Sequence, residues 1–207
     1  MDTAKDFFTI LVPLVIIMDP LGNLPVYLAF TRNNTPAERR RVAAVACLGA
    51  CGVLILFGLT GDAILDFFGI GLPAFEIAGG FIFFIYSLQM LRLIPTGIKY
   101  TPEEEEEGLD RESVALVPLA IPLLAGPGAI TSILVWQESA EEPLSTPLLI
   151  GAIVLACAII YVVFLFGERI HTVLGVSGIR MLPRLMGLLL AVIAVQYVVS
   201  GVEAVIE

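Results

Sequence analysis

Residues 13–25 read Pro-Leu-Val-Ile-Ile-Met-Asp-Pro-Leu-Gly-Asn-Leu-Pro, an apolar run interrupted by one acid, one amide, one glycine and three prolines. The run sits inside a longer apolar stretch, residues 7–30, and a helix needs about 20 such residues to cross a bilayer. An interior proline removes a backbone hydrogen bond and clashes with the preceding turn. In lipid the freed groups have no water to turn to, so a break is tolerated only where protein or a wet cavity satisfies it. The stretch therefore predicts a spanning helix that stops and restarts. Asp19 is expected as the cap of the restart and Pro20 as its first residue, with Gly22, Asn23 and Pro25 following.

A second stretch repeats the pattern. Residues 118–130 read PLAIPLLAGPGAI, so that six of the thirteen prolines, Pro13, Pro20, Pro25, Pro118, Pro122 and Pro127, fall in two apolar segments. Shifting the chain by 107 places Pro20 on Pro127, Gly71 on Gly178, Gly80 on Gly187 and Gln89 on Gln196, while Leu56-Phe57-Gly58 matches Leu165-Phe166-Gly167 two residues out of step. Landmarks in the same order predict an internal repeat.

Working outward, 58% of the 207 residues are hydrophobic and the mean hydropathy is +0.96. Six stretches are long and apolar enough to span: 7–30, 42–60, 72–94, 114–136, 148–167 and 185–206. Between the third and fourth lies residues 95–113, an acidic linker with five consecutive glutamates at 103–107, too charged to pack. The expected architecture is all-α: a first three-helix repeat at 1–94 and a second at 114–207. Three is odd, so the second copy enters from the opposite face and the repeats are inverted, with helices 1 and 4 broken near mid-membrane.

Charge placement gives an orientation. Ten of the eleven cations (Arg32, Arg39, Arg40, Arg41, Arg92, Lys99, Arg111, Arg169, Arg180 and Arg184) fall on one side of this topology, and Lys5 alone on the other. The positive-inside rule puts the basic loops in the cytoplasm and both termini outside. Topology accounts for these arginines without nucleic acid, and the net charge of −9 adds no partner. Residues 1–6 lack the pattern of a cleaved signal peptide, so the first span is expected to be retained.

Half-helix N-termini converging at mid-membrane would present N–H groups and positive dipole ends to an anionic group. The repeat shift sets Asp19 against Gly126, so one half alone carries an acid there. Such a site suits a small zwitterion: its carboxylate at the amides around Gly22, Gly126 and Gly128, its ammonium or a coupling Na+ or H+ at Asp19. Asp19 is equally readable as a cap with no ligand. Asn23 lines the site or bonds the partner break, Thr131 and Ser132 contact substrate or bond back to the preceding turn, and Gln89 and Gln196 are ligands or interhelical links. Ser87, Tyr86 and Tyr197 carry less signal, Gly79, Gly80 and Gly187 suit close helix packing, and Glu76 and Glu203 are expected to reach interfacial water.

Catalysis finds no support. His171, expected in a cytoplasmic loop, has no metal-ligand spacing with Cys or carboxylates, and no phosphate-binding Gly-x-x-x-x-Gly-Lys sequence occurs. Cys47, Cys51 and Cys157 lie in spans and read as small packing residues.

At the two breaks, Asp19-Pro20-Leu21-Gly22-Asn23-Leu24-Pro25 and residues 118–130, the chain resembles the MarC family of bacterial and archaeal inner-membrane proteins, which includes the SnatA-type small neutral amino acid transporters. Residues 187–196, GLLLAVIAVQ, are similar to that family's closing segment. The resemblance implies six spans and, for some members, cation-coupled movement of glycine, alanine and similar solutes. In some members the place of Gln89 is acidic. The expected function is thus secondary transport of small neutral amino acids by alternating access; the alternatives are a passive channel for small neutral solutes and a non-transporting membrane scaffold or regulator.

Overall fold

The computed structural model describes residues 3–94, 124–138 and 145–206. The linker 95–113 and the opening of the fourth span, with Pro118 and Pro122, lie outside these. Among the described residues the regular elements are all helices and there is no strand: α1 (Thr3–Met18), α2 (Leu24–Phe30), α3 (Pro36–Phe68), α4 (Leu72–Met90), α5 (Pro127–Glu138), α6 (Ser145–Leu165) and α7 (Gly167–Ile206).

Local chemistry sets the boundaries. α3 opens on a reciprocal cap, in which the Glu38 N–H donates to Thr35 Oγ1 at 3.4 Å and the Thr35 N–H to Glu38 Oε2 at 2.9 Å, with Pro36 following. It closes at Gly69, whose φ of 63° is the left-handed conformation that lets the Ile70 N–H return to the Leu65 carbonyl. Thirty-three residues run about 50 Å, well beyond the hydrocarbon thickness. Arg39, Arg40 and Arg41 therefore belong to the helix rather than to a loop, because the strong cap starts α3 early. Residues 168–184, expected as a loop holding His171, are likewise helical. Gly175 (φ 61°, ψ −178°) bends α7 there, and the chain resumes its helix on either side.

Four helical segments are long and apolar enough to cross a membrane: Pro36–Gly61, Leu72–Met90, Thr146–Leu165 and Pro183–Ile206. Gly128–Gln137 is a shorter apolar helix. Large apolar side chains such as Leu48, Phe81, Val154, Leu188 and Val192 are exposed on these helices, as expected where the surroundings are lipid.

The main core joins α1, α2, α3, α5 and α6 through Leu14, Met18, Leu24, Ala46, Ala129, Ile133, Ile153 and Phe164. A smaller cluster of Phe83, Leu190 and Ala194 joins α4 to α7. Ile17, next to the end of α1, packs against both.

The α4–α7 contact is reciprocal. A Cβ on Gly80 would lie 2.7 Å from the Ala194 carbonyl and 2.7 Å from the Val198 side chain. One on Gly187 would lie 3.2 Å from the Ser87 carbonyl and 3.4 Å from Leu91. Gly187, Ala194 and Val198 stand 107 residues after Gly80, Ser87 and Leu91, so the two sets of contacts are related by the same shift in the sequence. With Gly201 against Pro73 and Glu76, the pairings run antiparallel. Without side chains at these glycines the backbones approach closely, and close packing is what associates helices in lipid.

Candidate functional site

The turn between α1 and α2 is closed by its own side chains. Asp19 takes a left-handed φ of 42°, uncommon for a residue with a Cβ, and its N–H still bonds the Val15 and Ile16 carbonyls at 3.1 and 3.2 Å. Its carboxylate Oδ1 accepts from the Gly22 N–H at 3.0 Å, and its carbonyl accepts from the Asn23 N–H at 3.0 Å. Asn23 Nδ2 donates back to the Met18 carbonyl at 2.9 Å. The acid is 8% exposed. A side chain on Gly22 would collide with that carboxylate, so the glycine is demanded by space.

This corrects the expected local geometry. Asp19 caps the turn, not the helix: the cap position of α2 is Asn23, and no side chain bonds forward from it. Pro20 lies in the turn. Pro25 occupies the second position of α2, where its missing N–H costs little, so it starts a helix instead of breaking one. The left-handed Asp19 requires the intervening residues to redirect the chain before a helix can begin.

The second stretch differs. Gly126 lies immediately before α5, its carbonyl accepts from the Ile130 N–H at 3.2 Å, and Pro127 is the first helical residue. Gly128 is buried against the Phe83 ring, with no room for a Cβ. One turn on, Thr131 (2% exposed) packs against Gly79, and Ser132 accepts from Tyr197 Oη at 3.1 Å. The Tyr197 ring is tilted on Phe83 at 5.5 Å between centroids.

The two stretches share surroundings. Met18 and Leu24, flanking the first, lie in one core with Leu124, Ala125 and Ala129, flanking the second. Phe83 closes on Gly128 and anchors the cluster against which Ile17 packs.

The predicted glutamines stay outside this grouping. Gln196 is exposed and its Nε2 donates to Ser200 Oγ on its own helix at 3.3 Å. Gln89 is half-buried near the end of α4. Sequence reasoning missed Phe83 and undervalued Tyr197 and Glu76. Glu76 is 9% exposed and faces the neighbouring helices near the start of α4, while Glu203 is exposed. The signal was present: Glu76, Gly79, Gly80, Phe83 and Ser87 are spaced i, i+3, i+4, i+7 and i+11, one helical face, and all are buried.

At the other end of the molecule a pocket of about 260 Å³ is lined by Tyr27, Arg39, Arg40, Glu168 and Arg169 among others. Arg39 pairs with Glu168 and donates to the Thr31 and Arg32 carbonyls at 2.9 and 3.1 Å, tying the end of α2 to α3 and α7. The three cysteines line an apolar groove between α3 and α6, and among the described residues no group of three or more His, Cys, Asp or Glu could hold a metal ion.

An all-helical chain with several apolar helices of spanning length, lipid-compatible outer faces and polar residues gathered inside is an integral membrane protein. Residues 4–206 match the family described as MarC family integral membrane protein, and this chain belongs to that family. It is 41% identical to the UPF0056 membrane protein MJ1677 of Methanocaldococcus jannaschii over 90% of this chain and 91% of that one. A UPF0056 membrane protein of Aquifex aeolicus is 36% identical over 94% of this chain and 91% of its own. The UPF0056 membrane protein YhcE of Escherichia coli is 33% identical over 96% and 93%. No solved structure matches the chain.

Proposed function

We propose that this protein is a secondary transporter of small neutral amino acids, coupled to a cation and working by alternating access. The observation that carries the proposal is that the turn at residues 19–23 and the start of α5 flank one buried core. In this reading six spans form two inverted three-helix repeats, with the first and fourth broken at mid-membrane. The reciprocal packing of Gly80 and Gly187 supports the inversion, because a two-fold relation makes contacts self-complementary. Sites of such transporters lie where the repeats meet. The cation asymmetry of the sequence supports cytoplasmic basic loops, external termini and an inner-membrane location.

The substrate carboxylate would meet the first N–H groups of α5 around Gly128, and its ammonium or the coupling cation would meet Asp19. In the arrangement seen, Phe83 covers Gly128, so substrate entry requires that ring to swing away. The space released is small, which favours glycine or alanine over larger solutes. Asn23, Thr131 and Ser132 act chiefly through the backbone and through Tyr197, and Gln196 contributes no ligand.

The test is uptake of labelled glycine and alanine into proteoliposomes under an imposed proton or sodium gradient, with Asp19→Asn as control. Accumulation above equilibrium, reduced at least tenfold in the variant, is expected. Saturation-free equilibration indifferent to the gradient would make the protein a pore. An absence of flux for both solutes would remove the substrate assignment.

A further inference from the structure

Glu76 is a buried acid that forms no salt bridge among the described residues. It is the fifth residue of α4, 9% exposed, on the face that α4 turns to α5 and α7. A Cβ on Gly201 would lie 3.1 Å from that of Glu76, so the side chain leaves α4 directly against α7. Tyr197, one turn before Gly201, is within electrostatic reach and donates to Ser132. Thr131 lies against Gly79, one turn along α4.

Among the described residues, α7 brings Tyr197 near Glu76, with Glu203 exposed beyond it; α5 brings Thr131 against Gly79 and Ser132 against Tyr197; on α4 the other titratable residue is Tyr86. The sequence contains no Lys, Arg or His in residues 42–91, 112–168 or 185–207. Arg184, the cation of α7 next in line, is seventeen residues from Gly201, about 25 Å along a helix. A carboxylate withdrawn from water is held as an ion only by a countercharge, and otherwise takes a proton. An ionisable residue inside a membrane helix bundle marks an ion or proton path. Among the described residues a metal ion would find one carboxylate and few other oxygens, with no second acid, His or Cys grouped beside it.

We propose that Glu76 is a proton-binding site, distinct from Asp19, at which the protein loads the proton that drives transport. The step is a simple transfer: the carboxylate takes a proton from hydronium, leaving water, and the neutral acid returns it to water when the helices rearrange. Glu76 lies four residues, about 6 Å, from the start of α4. In the proposed orientation that end faces outside, so loading occurs from the external side. The coupling role rests on the transporter reading; proton binding at Glu76 does not.

Two readouts separate these. The first is infrared spectroscopy of the purified protein titrated from acid to alkaline pH, following the carbonyl stretch of protonated carboxyl groups. The difference between wild type and Glu76→Gln is expected to contain one titrating carboxyl band, which Glu203→Gln leaves in place and Tyr197→Phe shifts in midpoint. A difference without such a band would overturn the site, whatever transport does. The second is transport by Glu76→Gln, whose neutral amide mimics the protonated acid and keeps the fold. Loss of proton-driven accumulation by at least tenfold with substrate exchange preserved is expected. Proton-driven accumulation at the wild-type level would overturn the coupling role, whereas absence of flux in the wild type would fail the transporter reading and leave the infrared result standing.

Discussion

The turn at residues 19–23 and the start of α5 at Gly126 are related by a shift of 107 in the sequence, yet they are built from opposite chemistry. The first is closed by side chains: Asp19 and Asn23 satisfy backbone groups on both sides of the turn. The second uses glycine and proline, and its tight fit comes from Phe83, a residue of another helix. The comparison teaches that a chain interruption inside a membrane protein can be satisfied locally or by a neighbour. A locally closed turn is rigid and free to carry a charge. One closed by a neighbour opens when that neighbour moves.

The sharpest way to break this comparison is to fill each glycine. Gly22→Val drives a side chain into the Asp19 carboxylate, which can turn away only by giving up its bond to the residue 22 N–H, and is expected to destabilise the protein by about 3 kcal/mol. Thermal unfolding of the purified protein in detergent measures it. Gly128→Ala meets a ring instead. A loss of about 1–2 kcal/mol is expected, and in a Phe83→Ala background the same substitution should cost at most half as much, because the contact is a single pair. An equal cost in both backgrounds would mean that Phe83 is not what closes the second stretch.

Smaller effects sharpen the contrast. Tyr197→Phe removes the hydrogen bond to Ser132 between α7 and α5 and should cost about 0.6 kcal/mol, the usual value for interhelical bonds in membranes. Gln196→Ala, which loses only a bond to its own helix, should stay within about 0.5 kcal/mol and leave transport unchanged. A larger effect at Gln196 than at Tyr197 would restore the glutamine to the site.

Legibility varied from residue to residue for physical reasons. The apolar blocks of α3, α4, α6 and α7 were readable because a bilayer imposes length and composition on each segment separately. That Asp19 would satisfy backbone groups at an interruption was readable because an acid beside proline and glycine has few structural uses in an apolar run. Its partner was not, since a left-handed φ at Asp19 moved the start of α2 from Pro20 to Leu24. The role of residues 168–184 was misjudged because their charges suggested a loop, whereas α7 runs through them with a bend at Gly175.

The sequence by itself determined that this is a helical membrane protein of the MarC family, with two proline-rich apolar stretches and no cation in residues 42–91, 112–168 or 185–207. These properties follow from what each segment must do in lipid, and they need no knowledge of neighbours. Tertiary structure alone decided which polar residues share surroundings: it turned Glu76 inward, left Gln196 outside, and set Phe83 on Gly128 and Tyr197 on Ser132. Helical periodicity says that residues share a face, but only the packing of α4 against α5 and α7 says what that face meets.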